Sequence, residues 1–326
     1  MTETSPPVAL ARWGSLHVGG HEVTVSGEPP QEVLFTPGSA PALLDPNGTS
    51  LIGSMYAQYM TPVPCRGTVP LMLWHGGGLS GACWETTPDG RDGWQHFFVR
   101  LGWEVFVTDA VERGRAGWMR IPQETGGVAV TTTVENPWTR FRIGTGTPQE
   151  GALLPGNLFP GDPASWRNFI RQCVPRFTTT DALTLAAYGA LLDRVGPSVV
   201  VAHSQGGFFA WRAAQEWPDK VRALVLVEPA STGLAEKVAA LAGIPVLMIF
   251  GDFIEGDPRW PTIRANGIAF AEAVRAAGGS VDVVDLPARG IHGNSHMIQM
   301  DRNSDVVAAL VQDWLAAKGL WAAKAG

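Results

Sequence analysis

The sequence predicts an α/β protein built on a mostly parallel sheet, and three observations predict it. From residue 69 onward, short apolar runs alternate with helical segments down to the C-terminus. Those runs are almost continuously apolar, as strands covered on both faces must be. The 326 residues, 45% hydrophobic and 17% charged, supply enough apolar material for one large core.

The elements follow in order. Residues 12–18, 22–26 and 54–63 alternate in hydrophobicity between Pro/Gly turns, which predicts antiparallel hairpins over residues 1–66. Residues 69–74 read as a strand, 94–101 as a helix and 103–108 as a strand. A helix over 183–195, a strand over 198–202, a helix over 208–217 and a strand over 221–227 come next. The pattern closes with 244–250 (strand), 262–277 (helix), 281–286 (strand) and 304–318 (helix). Residues 113–180 break the alternation with Pro, Gly, Thr and three tryptophans, Trp118, Trp138 and Trp166. A structureless loop of that length does not suit a folded domain, so an inserted cap over the strand ends is expected. Residues 1–112 and 181–326 then form the core.

Composition excludes several classes. Lys and Arg total 24 against 30 Asp and Glu, a net charge of −6, which argues against nucleic-acid or anionic-membrane binding. Gly and Pro make up 64 of 326 residues, above the roughly 12% of average usage but short of a disordered composition. Cys65, Cys83 and Cys173 cannot build a disulfide framework, though one pair is open, and no His/Cys cluster suggests a metal. No apolar run approaches the ~20 residues of a membrane span. The first twenty residues carry no signal-peptide pattern, which fits a cytoplasmic protein or a trimmed secreted or periplasmic one. A homodimer is left open.

The chemistry concentrates in Val199-Val-Val-Ala-His-Ser-Gln-Gly-Gly207. A β-branched run, a small residue, x-Ser-x-Gly and a helix make the context of a nucleophile elbow, with Ala202 at the position usually held by Gly. A serine hydroxyl needs a base. Of seven histidines, only His292 and His296 lie between the last strand and the last helix, and His296, behind Gly293-Asn294-Ser295, is the better placed. The base needs a carboxylate, and two follow apolar strands: Glu228 and Asp252. Topology alone favours Asp252. Leu73-Trp-His-Gly-Gly-Gly78 ends an early strand, so the Gly77 and Gln205 N–H groups are the natural oxyanion pair. It lacks the spacing of a phosphate-binding loop.

These residues resemble the α/β-hydrolase serine esterases, and among them a bacterial esterase of the Alcaligenes type. The resemblance rests on the HGGG run with Trp84-Glu-Thr-Thr-Pro-Asp-Gly-Arg91, on His203-Ser-Gln-Gly206 and on Val227-Glu-Pro229. Gly251-Asp-Phe-Ile-Glu255, Pro258-Arg-Trp260, His292-Gly-Asn-Ser-His-Met297 and Asp301-Arg-Asn303 complete it. It implies an α/β-hydrolase fold, a carboxylic-ester hydrolase without cofactor or metal, Glu228 as the acid and His296 as the base. The acid therefore moves from Asp252 to Glu228. The family pattern has Cys-Cys after His-Gly where this chain carries Gly77-Gly78, which sets its oxyanion loop and acyl pocket apart. Lactone or carbon–carbon hydrolysis on the same triad, and a non-catalytic binding protein on the same fold, are the alternatives. The tryptophans of the insertion point to a small or medium, apolar or aromatic ester.

Overall fold

Strand pairing in a computed structural model, which describes residues 6–118, 121 and 126–322, builds the molecule around one sheet. Part of the stretch read for a signal peptide, residues 1–5, lies outside the described residues. The strands are β1 (Leu10–Val25), β2 (Gln31–Val33), β3 (Ala42–Leu44), β4 (Gly48–Pro62), β5 (Leu71–Trp74) and β6 (Val105–Asp109). They continue as β7 (Gly144–Thr145), β8 (Ala152–Leu153), β9 (Ser198–His203), β10 (Val221–Val227), β11 (Pro245–Phe250) and β12 (Ser280–Asp285).

Among the described residues eight of these form one sheet in the order β1-β4-β6-β5-β9-β10-β11-β12. β1 pairs antiparallel with β4 and β4 with β6, while β6, β5, β9, β10, β11 and β12 run parallel. β1, Leu10–Val25, is one long strand where the sequence predicts two, over 12–18 and 22–26, because pairing with β4 continues through Gly19. The backbone pairing outweighs glycine's poor strand preference there. β9, β10 and β5 are buried at almost every position, so the sheet centre is apolar on both faces. One face packs on the helices Asp181–Val195, Gln205–Glu216 and Trp260–Ala276, and the other on Trp94–Arg100 and Ser304–Ala317.

The stretch read as an insertion, 113–180, holds among its described residues a short helix Asn136–Arg140, the β7–β8 pair and a helix Pro163–Gln172. Asp162 caps the last of these, accepting from the Ala164 and Ser165 N–H groups at 3.1 Å each. Trp138 and Trp166 are 2% and 3% exposed and meet edge to face at 5.1 Å, with Phe159 and Phe169 around them. They are this segment's core. Trp138→Ala is therefore expected to cost about 3–5 kcal/mol of unfolding free energy, as deletion of a buried aromatic does, read by denaturant titration. A loss below 1 kcal/mol would place Trp138 outside any core.

Candidate active site

Register places the site. His203 at the end of β9 stands opposite Val227 at the end of β10, so Ser204 and Glu228 leave the sheet side by side. The Ser204 N–H donates to Val227 O at 3.1 Å, and the Glu228 N–H to Ile249 O at 2.8 Å. Ser204 has φ +52° and Glu228 φ +46°, conformations that cost a non-glycine residue on the order of 1–3 kcal/mol and persist only where the surroundings enforce them. The helix Gln205–Glu216 begins at once, earlier than residue 208 as read from the sequence. Gly206 and Gly207 are weak helix formers, but a Cβ at Gly207 would lie 2.8 Å from Pro229 Cβ, so only glycine allows this approach.

His296 reaches these two from the loop after β12. Its Nδ1–H donates to Glu228 Oε2 at 2.7 Å, and its Nε2 accepts from the Ser204 hydroxyl at 3.0 Å. This tautomer follows from the acceptor-only carboxylate on the Nδ1 side. Rings of His203, Trp260 and Phe141 surround the imidazole at 4.6, 4.7 and 5.0 Å. His203 in turn donates from Nε2 to His296 O at 2.8 Å. Burial, with the neighbouring His296 charge, pushes its pKa down to about 3, so it is a neutral spacer.

Glu228 is fully buried yet ionised. Burial alone would raise its carboxyl, but the Arg142 guanidinium and the His296 hydrogen bond outweigh that and hold it at about 2. Oε1 accepts from Arg142 Nη2 at 2.5 Å and from the Gly251 N–H at 2.7 Å. Arg142 comes from the insertion, has φ +56° and lies over the Trp260 ring at 4.7 Å. Sequence reasoning missed it. An arginine in an irregular segment 86 residues from its partner carries no local signal.

Asp252 sits elsewhere. Its Oδ2 accepts from the Gly293 N–H at 2.9 Å and its Oδ1 from the Phe253 N–H at 2.8 Å, so it anchors the loop that bears His296. His292 is largely exposed, with Nδ1 3.6 Å from Asp252 Oδ2. Asp301 clamps the same loop, accepting from the Ser295 hydroxyl at 2.7 Å and the Ser295 N–H at 2.8 Å.

The His75-Gly-Gly-Gly78 loop follows β5. A Cβ on Gly76 would meet the His203 ring at 2.7 Å and Ser204 Cβ at 3.0 Å, so the loop presses directly on the elbow. His75 donates from Nδ1 to Gly76 O at 2.8 Å and accepts the Ala110 N–H at Nε2 at 3.0 Å, which fixes the loop's start. The Val174 N–H of the insertion donates to Gly78 O at 2.9 Å.

Gly77, Gln205, Ser204 and His296 open onto one cavity of about 640 Å³. The expected tryptophan lining is corrected here. Trp138 and Trp166 are buried in the insertion, and Trp118, 42% exposed, lies against Phe177 at 5.0 Å. None of the three lines this cavity. Trp260, Phe141 and Phe208 do, with Arg140, Arg176, Arg259 and the run Thr131–Thr133. Sequence reasoning read aromatic content as lining, whereas large apolar rings went where they exclude most water. The cysteines are unpaired among the described residues.

Comparison with known proteins identifies the fold. Residues 158–276 match a model of the alpha/beta hydrolase fold. A bacterial esterase of known structure shares 33% identity and a TM-score of 0.85, over 97% of this chain and 98% of that one. A protein named "Probable secreted lipase phiG", from a fungal species (strain ATCC 74256), is 27% identical over 320 residues, 80% of this chain and 85% of that protein. With its fold matched along nearly its whole length by a relative of one-third identity, the chain belongs to the alpha/beta hydrolase family.

Proposed function

We propose that this protein hydrolyses carboxylic esters through an acyl-enzyme, with Ser204 as nucleophile, His296 as base and acid in turn, and Glu228 as the group that orients His296. The observation that carries the reading is the unbroken line Glu228 Oε2–His296 Nδ1 at 2.7 Å and His296 Nε2–Ser204 Oγ at 3.0 Å, ending in the cavity. Its likeness to a bacterial esterase supports the reading. Ser204 Oγ would bond to the ester carbonyl carbon as its proton passes to His296 Nε2. The Gly77 and Gln205 N–H groups would hold the resulting oxyanion. Collapse breaks the bond to the alcohol, which takes the proton from His296. Water, deprotonated by the same imidazole, then releases the acid. Residues 113–180 act as a cap that supplies Arg142 behind the acid and Arg140 and Phe141 beside the cavity.

The test is a fluorophosphonate label followed by peptide mass analysis, run beside a panel of esters, lactones and 1,3-diketones. Labelling at Ser204 with turnover of esters above the others is expected. An unlabelled Ser204, or turnover of lactones or diketones alone, would overturn the assignment.

The pH profile has a defined sign. Burial pushes the His296 pKa below its ordinary 6.5 against the raising effect of Glu228. Because the neutral imidazole is the base, kcat/KM on a neutral ester should rise with pH through an acid limb centred below 6.5 and be level by pH 7. Glu228, at about 2, stays ionised throughout. A midpoint above 6.5 would contradict this account of the site.

A further inference from the structure

The cavity beside Ser204 is cationic, although the whole chain has a net charge of −6. Arg140, Arg176 and Arg259 line it, and Asp181 is the one carboxylate residue among its described lining. Their pairing is incomplete. Arg259 Nη2 donates to Arg140 O at 2.9 Å and lies 3.6 Å from Asp257 Oδ2. Arg176 Nη1 donates to Gln205 Oε1 at 2.8 Å, beside the oxyanion loop, and has no carboxylate within ion-pair distance among the described residues. The Arg140 guanidinium has neither a hydrogen bond nor an ion pair to any described residue. Burial, then the charges of Arg259 and Arg176, hold it below the ordinary guanidinium range. Three like charges held around one recess repel one another, and structural ion pairing does not account for all three. Thr131, Thr132 and Thr133 line the same space.

We infer that the ester this site takes carries a second, anionic group, a carboxylate in the first instance, which docks on Arg140, Arg176 and Arg259 while its ester carbonyl lies at Ser204. An arginine fork suits a planar carboxylate in two-point contact. A cavity of about 640 Å³ has room for a flexible half-ester of a dicarboxylic acid. The inference rests on the ester-hydrolase reading above and names the substrate class of that site.

The experiment uses the whole protein in a pH-stat at pH 7.5 and low salt. Monoethyl adipate, whose free carboxylate is on the acyl side, and 4-butyryloxybutanoate, whose carboxylate is on the alcohol side, are compared with their neutral ethyl esters. One of the anionic esters should exceed its neutral counterpart in kcat/KM by on the order of tenfold or more, and whichever does so shows which half of the substrate meets the arginines. The preference should shrink as salt rises to 0.5 M. Arg140→Gln should lower the ratio of anionic to neutral kcat/KM about tenfold, acting mainly on KM, and Arg140→Lys should restore part of it. Arg259→Gln provides the second variant, with the same expected direction.

Neutral esters hydrolysed as fast as or faster than both anionic ones by the wild type would overturn the inference while leaving the ester-hydrolase reading in place. An anionic preference unmoved by salt and by both Gln variants would also overturn it. Failure of every ester together with an unlabelled Ser204 would instead bring down the reading beneath it.

Discussion

Ser204→Ala is expected to lower kcat for an activated ester by at least about 10⁴-fold while the protein stays folded. Ser204 gives no side-chain cap to the helix it precedes, and its hydroxyl bonds only the His296 ring among the described residues. Removing Oγ therefore deletes the proposed nucleophile without opening the core. What is left is the residual rate from binding and oxyanion contacts, which in serine hydrolases is a minute fraction of the whole. Alanine carries the φ of +52° no better and no worse than serine, so circular dichroism and thermal unfolding should match the parent. A folded variant with a tenth of the parent kcat would remove Ser204 from the nucleophile's place.

Glu228→Gln should cost on the order of 10²–10⁴ in kcat, and for a different reason. A glutamine keeps one oxygen for Arg142 and the Gly251 N–H, which turns its amide N–H₂ toward His296 Nδ1. That nitrogen must then accept, its proton moves to Nε2, and Nε2 can no longer receive the proton of Ser204. The same change leaves the Arg142 guanidinium buried without a counter-charge, a loss of about 3–5 kcal/mol in comparable broken pairs. Activity and stability should fall together. Asp252→Asn is expected to lose less than tenfold, since it contacts Gly293 and Phe253 backbone and not the imidazole. Steady-state kinetics on one activated ester, with urea titrations of both variants, separates the cases. If Asp252→Asn were the less active of two folded proteins, the acid would be Asp252 after all.

How far the sequence could be read depended on whether the determinant was local. The parallel sheet was legible because each strand is a separate apolar run. The elbow was legible because Ser204 and its glycines are contiguous. The choice between Glu228 and Asp252 was not local. Both follow apolar strands, and topology alone points to Asp252, whereas the family resemblance points to Glu228, the carboxylate that meets His296 in the structure. Register explains why a glutamate suffices: β10 adjoins β9, so its longer side chain turns back to an imidazole beside the serine. The insertion was least legible. Its tryptophans looked like cavity lining and are its core, while the arginines that do line the cavity are scattered from residue 140 to 259. Nothing in their spacing joins them.

The ion pair between Arg142 and Glu228 also bears on how this protein can change over time. Segments inserted between strands are often the most exchangeable parts of a fold, because their backbone lies at the surface. Here the inserted stretch holds the counter-ion of the buried acid, and Asn157 of the same stretch holds Arg142 by donating to its carbonyl at 2.8 Å. A chimera that exchanged residues 113–180 for another protein's insertion would strip Glu228 of its strongest cationic neighbour, even with every residue of the sheet untouched. Recombination at this boundary is thus expected to be penalised unless an arginine travels with the graft, which leaves point substitutions around a fixed Arg142 as the route by which the cavity lining would diversify.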